Sequence, residues 1–252
     1  MAGSSDHSEP QDTGAAQLGS RRMAPRSEDA VVETTHELAN LITVVLGSLE
    51  QLRRQPLDDK GQQQLGRAEW GALRVARLTR QVLSQARGED GTAEITDLNA
   101  VADDFAMVMA GRVDSGVQVA VELTPGPLPV RLDSGLLNLV LRNLVRGLTD
   151  GMPGGGEVVL RTRGPRLDGL GAQLTTEVSV SDGGTGMSAD VALHATEELF
   201  ATKPVGKGTG LGLWMARRFA SDCGGTVKIE TVLGQGTTVR LVFPYAGQVA
   251  PR

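Results

Sequence analysis

The stretch GKGTGLGLWMARRF, Gly206 to Phe219, sets glycines at 206, 208, 210 and 212 and then runs into an apolar, arginine-bearing helical pattern. A helix start carries unpaired N–H groups and the positive end of the helix dipole, and glycines let such backbone approach an anion closely. The stretch therefore suits phosphate binding, with a plain hinge as the other reading. It is not a P-loop, in which Gly-Lys precedes Ser or Thr, because Gly208 follows Lys207. Nor is it G-x-G-x-x-G, since position 213 is leucine. A second stretch, VSVSDGGTGMSADVA, places Asp182, Gly184 and Gly186 after a β pattern. Asp-Gly is a strong hairpin signal, yet Ser188 heads a helical pattern here, so the segment joins strand to helix and reads as a ligand loop. A carboxylate in it can accept a hydrogen bond from the exocyclic amine of adenine, with glycines leaving room for the flat base.

Several function classes are disfavoured by composition. The chain has 252 residues and is 40% hydrophobic, enough for one large domain or two small ones with a proper core. No apolar run approaches the roughly 18 residues of a membrane span, and the first 26 residues lack a secretory-type apolar stretch, so a cytoplasmic protein without a membrane anchor is expected. One cysteine, Cys223, excludes an intrachain disulfide, and His7, His36 and His194 are not spaced as metal ligands. The net charge of -5 and 3% aromatic content, with no basic stripe interleaved with aromatics, argue against nucleic acid. Only four of the 25 basic residues are lysines, and two of them, Lys203 and Lys207, flank the start of the glycine-rich stretch.

The elements that must position these loops fall into two domains. Residues 1–27 have almost no large apolar side chains and are expected to form a disordered tail. From Val31, apolar residues at 31, 38, 41, 42, 45, 46, 49 and 52 form one helical stripe that ends at Pro56. A second stripe runs from Leu65 through Ala86 and closes at Gly88. The two make a helical hairpin over 28–89, which cannot bury its apolar stripe alone; a four-helix bundle formed by a homodimer is the economical solution. A mixed pattern follows over 94–246: helix 98–113, strand VQVAVEL, helix 134–151, strands EVVLRTR and TTEVSVS, the glycine-rich region with its helix, and a closing hairpin turned by VLGQG. This predicts an α/β two-layer sandwich, with residues 247–252 as a tail.

In order and spacing, DGGTG, then LFATKP with Phe200, then GKGTGLGL closely resemble the G1, F and G2 boxes of two-component sensor histidine kinases. The resemblance covers nearly all of Ile95 to Pro244, and THELANLITVVLGSLEQL in the hairpin looks like the family's H-box. It implies an ATP-binding domain that delivers the γ-phosphoryl group to His36, from which an aspartate on a response regulator receiver domain takes it. Phosphoryl transfer asks for an in-line neutral imidazole and a carboxylate that orients the ring and takes its other proton, a role that falls to Glu37. Asn40, one turn on, matches the residue that assists water attack on the regulator's phosphoaspartate. By the same resemblance Asp182 selects adenine, Gly184 and Gly186 shape its pocket, and Phe200 anchors the lid. Lys203, Gly206, Lys207, Gly208, Thr209, Gly210, Leu211 and Gly212 form the lid and phosphate cradle.

The remaining N-box aligns with LNLVLRNLVRGLTDGMPGGG. Asn143 holds the family's first asparagine, whereas Gly147 stands where the family has the asparagine that holds Mg²⁺ against the triphosphate. Asn143, Gly147 and Asp150 share one helix face, so Asn143 and Asp150 are left to position Mg²⁺-ATP. Losing one preorganised contact costs about 100- to 1,000-fold in rate, which implies a slowed kinase. Arg142 and Arg146 read as a solvated helix face, with positive charge for the phosphates as the other reading. Two rival functions stay open: a degenerate kinase serving as phosphotransfer or phosphatase partner, and a nucleotide-binding scaffold whose hairpin only dimerises.

Overall fold

A computed structural model of the chain describes residues 27–86, 95–109, 116–167, 173–195 and 211–247. The expected tails lie outside these residues except for Ser27 and Gly247. Two long helices, α1 (Ser27–Arg53) and α2 (Asp59–Ala86), pack as the expected hairpin. Pro56 cannot continue α1 because it has no N–H to donate, and Asp58 starts α2 by accepting the N–H of Gly61 at 2.7 Å. Ile42, Leu46 and Leu49 are half-buried, while Leu38, Leu41, Val45 and Leu52 on α1 and Val75, Leu78 and Val82 on α2 are exposed. The apolar stripe is thus only partly covered by the hairpin itself.

Eight residues, 87–94, connect α2 to the α/β half. That half consists of β1 (Ile95–Asp97), α3 (Leu98–Met109), β2 (Val117–Glu122), β3 (Pro129–Arg131), α4 (Ser134–Thr149), β4 (Gly156–Leu167), β5 (Leu174–Asp182), α5 (Ala189–His194), α6 (Leu211–Asp222), β6 (Thr226–Val232) and β7 (Gly236–Pro244). Among the described residues the main sheet has the order β2-β4-β5-β7-β6, with only β2 and β4 parallel, and β1 pairs with β3 apart from it. Helices α3, α4 and α6 cover one face, as a two-layer α/β arrangement requires. Their contact is an apolar core in which Leu137, Val140, Leu141 and Leu144 of α4 and Met215 and Phe219 of α6 meet Val178, Val180, Val239, Leu241 and Phe243. Phe219 and Phe243 meet edge-on with ring centroids 5.9 Å apart. Helix α3 is described over Leu98–Met109, and its expected continuation to Val113 lies outside the described residues.

The hairpin lies on this half, with α2 antiparallel along α4. Arg146 Nη2 stands 3.5 Å from Asp59 Oδ1 near one end, and Arg80 Nη2 stands 2.7 Å from Asp133 Oδ2 at the other. Between them Arg142 pairs with Glu69, which Arg53 also approaches at 3.6 Å. Arg74 reaches Asp222 at 3.5 Å, and Trp70 meets Trp214 of α6 edge-on at 6.0 Å. Gly66 makes this approach possible: a Cβ there would lie 2.7 Å from Leu211 Cδ2 and 3.4 Å from Asn143 Oδ1.

Candidate functional site

Asp182 ends β5 opposite Thr237 of β7, which in turn lies opposite Thr231 of β6. Its Oδ1 accepts the N–H of Gly184 at 2.6 Å and its Oδ2 accepts the N–H of Thr237 at 3.2 Å. Two fixed backbone donors orient the carboxylate, which when ionised can only accept. The glycines beside it answer to steric need. A Cβ on Gly184 would lie 2.6 Å from Asp182 Oδ1 and 2.9 Å from the carbonyl oxygen of Gly151. Gly186 has φ +61°, and a Cβ there would lie 2.1 Å from the carbonyl oxygen of Val232. The loop they belong to is held on both sides. Thr185 donates its N–H to Gly151 O at 3.4 Å, Gly234 donates to Thr185 O at 2.8 Å, and Met187 donates to Thr231 Oγ1 at 2.8 Å.

The chain just past helix α4 meets this loop at Gly151 and Met152, and α4 carries Asn143 and Asp150 on the wall of a separate cleft described below. Asn143 donates its Nδ2–H to Leu139 O at 2.8 Å and turns Oδ1 toward α2. Asp150 follows the last turn, its N–H donating to Arg146 O at 3.0 Å. Position 147 is exposed, with nothing within 4 Å of where a Cβ would stand, so an asparagine would fit there without displacing any described atom. Leu211 and Gly212 are the first residues of α6. Leu211 is 3% exposed in the core, and a Cβ on Gly212 would lie 2.8 Å from Asn143 O, so this glycine lets α6 press onto α4. Phe200, Lys203, Gly206, Lys207, Gly208, Thr209 and Gly210 lie outside the described residues.

Neither sequence reading of Arg142 and Arg146 describes what the structure shows. Both guanidinium groups pair with acidic residues of the hairpin rather than standing solvated or unpaired toward a phosphate site. Burial pulls the Arg142 guanidinium below its usual pKa range, and the charge of Glu69 opposes that shift. Glu69 was not legible as a partner, because the pair is 73 residues apart and meets only when the halves dock.

A cleft of about 980 Å³ opens between the hairpin and the α/β half, with Glu50, Arg53, Glu69, Arg142, Asn143 and Asp150 among its walls. Two buried acceptor atoms on α4, Asn138 Oδ1 and Thr149 Oγ1, have no hydrogen-bond partner there. His36, Glu37 and Asn40 are exposed on α1, fourteen residues before Glu50 in the case of His36, hence about 21 Å along the helix at 1.5 Å per residue. The docked hairpin thus offers its turn end, not the histidine, to the cleft. No described helix is long and apolar enough to cross a membrane.

The arrangement, an antiparallel-rich sheet under three helices with an aspartate and glycines at one sheet end and a glycine-led helix beside them, is that of an ATPase domain. Residues 132–247 match the histidine kinase-, DNA gyrase B- and HSP90-like ATPase family. The chain is 32% identical over 218 residues to sensor kinase CckA of Brucella abortus, spanning 83% of this chain and 23% of that protein. It is 28% identical over 242 residues to histidine protein kinase DivJ of Caulobacter vibrioides, spanning 91% of this chain and 39% of that one. The catalytic domain of histidine kinase ThkA has the same fold, with TM-score 0.51 at 22% identity over 60% of this chain and 96% of that structure. These matches extend beyond the ATPase segment into the hairpin: residues 132–247 belong to that ATPase family, and the chain is similar over most of its length to two-component sensor histidine kinases. It spans about a quarter to two-fifths of the length of these curated relatives.

Proposed function

We propose that the chain is an ATP-dependent protein-histidine kinase that phosphorylates His36 and passes the phosphoryl group to an aspartate of a response regulator receiver domain. The observation that carries this is the pairing, in one chain, of a carboxylate fixed by two backbone donors at an ATPase-type sheet end with an exposed histidine on a packed helical hairpin. Asp182 accepts from the exocyclic amine of adenine, and Gly184 and Gly186 leave the base its room. Lys203, Gly206, Lys207, Gly208, Thr209 and Gly210, with the helix start at Leu211 and Gly212, cradle the phosphates, and Phe200 anchors the lid. Glu37 orients the His36 imidazole and takes its second proton as the phosphorus–nitrogen bond forms and ADP leaves. Asn40 positions water for hydrolysis of the regulator's phosphoaspartate.

Among the described residues no three His, Cys, Asp or Glu side chains gather as a metal site. Mg²⁺ asks for less, since it keeps several waters and binds through substrate phosphates and one or two protein oxygens. Asn143 and Asp150, both on the cleft wall, fit that need and would hold it, where it would neutralise triphosphate charge. Gly147 supplies nothing to it, so the reaction is slow rather than absent. The exposed stripes of α1 and α2 are the surface on which a second copy completes a four-helix bundle.

Incubation with γ-³²P-ATP and Mg²⁺ tests this reading. Acid-labile label is expected on the wild type, none on His36→Ala, and about 100-fold faster labelling of Gly147→Asn, the inverse of losing one preorganised contact. Label that survives His36→Ala would overturn the assignment of the acceptor.

A further inference from the structure

We propose that Thr231, a residue assigned no role so far, is a positioning residue that makes the base-reading corner select a purine with an amine rather than a carbonyl at its six position; this rests on the ATP reading above. Asp182, Thr237 and Thr231 form one cross-strand row over β5, β7 and β6, and directly paired residues share a face of the sheet. A threonine hydroxyl has one proton to give and two lone pairs to receive. Thr231 Oγ1 has three partners: it accepts the N–H of Met187 at 2.8 Å, lies 3.1 Å from Gly236 O, and lies 2.9 Å from Thr237 Oγ1. A carbonyl oxygen cannot donate, so the one arrangement that makes all three contacts hydrogen bonds gives the Thr231 proton to Gly236 O. The contact with Thr237 must then be made with the Thr237 proton, donated to Thr231.

The polarity of the whole row follows. With its proton committed, the Thr237 hydroxyl retains only acceptor capacity, and its backbone N–H is committed to Asp182 Oδ2. The corner therefore presents acceptors alone, a carboxylate and a hydroxyl oxygen, to whatever enters. Adenine carries an amine at the edge such a corner reads; guanine carries a carbonyl oxygen there and would face lone pairs with lone pairs. Thr231 also ties the loop after Gly186 to the β6–β7 turn, so the same hydroxyl fixes where the loop stands. Burial of Thr237, at 6% exposure, keeps water from resetting the hydrogen-bond direction.

The test uses the full chain, with displacement of a fluorescent trinitrophenyl-ATP probe by ATP and by GTP, alongside thermal melting. Thr231→Val keeps the shape and removes the hydroxyl; Thr231→Ser keeps the hydroxyl. The expected result is a wild-type preference for ATP that falls roughly tenfold in the valine variant, the equivalent of one hydrogen bond, and returns in the serine variant. Thr231→Ala, which leaves space rather than a methyl, replaces valine if that variant does not fold. An unchanged ATP-to-GTP ratio in a folded hydroxyl-free variant would overturn the proposal even if its melting temperature falls, since a merely structural threonine moves stability and not selectivity. Failure of the wild type to bind the probe at all would instead overturn the ATP reading, and this inference with it.

Discussion

Cys223, just past the end of α6, is held as a thiol: burial pushes its pKa up to about 11, Arg77 pulls the other way, and Asp222 and Asp133 add to the rise. The thiolate is the reactive form, so the native protein, with its thiol pushed up to about 11, is expected to react with Ellman's reagent at pH 8 at least about tenfold more slowly than the unfolded chain. Because the folded state holds the proton more tightly, this group's stabilising contribution is complete below about pH 9 and is lost as pH rises toward 11. Equal reactivity of folded and unfolded chains would contradict the burial. At this same scale the sequence singled out Asp182, Gly184 and Gly186 as candidates, because an acid and glycines between a strand and a helix start are unusual in kind. It did not reveal Thr231 or Thr237, since threonine is an ordinary strand residue and only the register of three strands makes these two a hydroxyl relay.

Helices and strands were legible for a different reason: periodicity reports which face is buried, whatever buries it. The stripe that includes the half-buried Ile42, Leu46 and Leu49 predicted α1, and the alternation in EVVLRTR predicted β4. What periodicity cannot report is a polar contact between elements, and α2 meets α4 largely through such contacts. Arg142 on α4 is half-buried against Glu69, which is 7% exposed, so Glu69→Gln would leave a guanidinium desolvated without its counter-charge. The expected cost to docking is about 1–3 kcal/mol, less than for a fully buried pair. The outer pair Arg80–Asp133, with Arg80 61% exposed, is worth less than 1 kcal/mol. Small-angle scattering should therefore show a larger radius of gyration for Glu69→Gln than for Arg80→Gln. Raising salt toward 1 M, where the screening length falls to about 3 Å, should expand the wild type in the same direction. A radius indifferent to both changes would mean that Trp70, Trp214 and Leu211 alone hold the halves together.

For the molecule as a whole, the exposed apolar residues of the hairpin are too regular to be scattered surface contacts. Leu41→Glu with Val45→Glu is expected to reduce the mass seen by light scattering from a dimer to a monomer, while leaving the α/β half folded by circular dichroism. A dimer that persists would place the self-contact elsewhere. The expected division into two domains rests on each half having its own period and on 87–94 interrupting both. That eight-residue connection also sets a kinetic limit. A chain extends at most 3.3–3.6 Å per residue, so the α/β half can retreat no more than roughly 30 Å from the end of α2. A short tether of this kind holds the two halves at an effective concentration in the millimolar range. Leaving the docked arrangement and returning to a hairpin are therefore first-order events, whose rate is independent of how dilute the protein is.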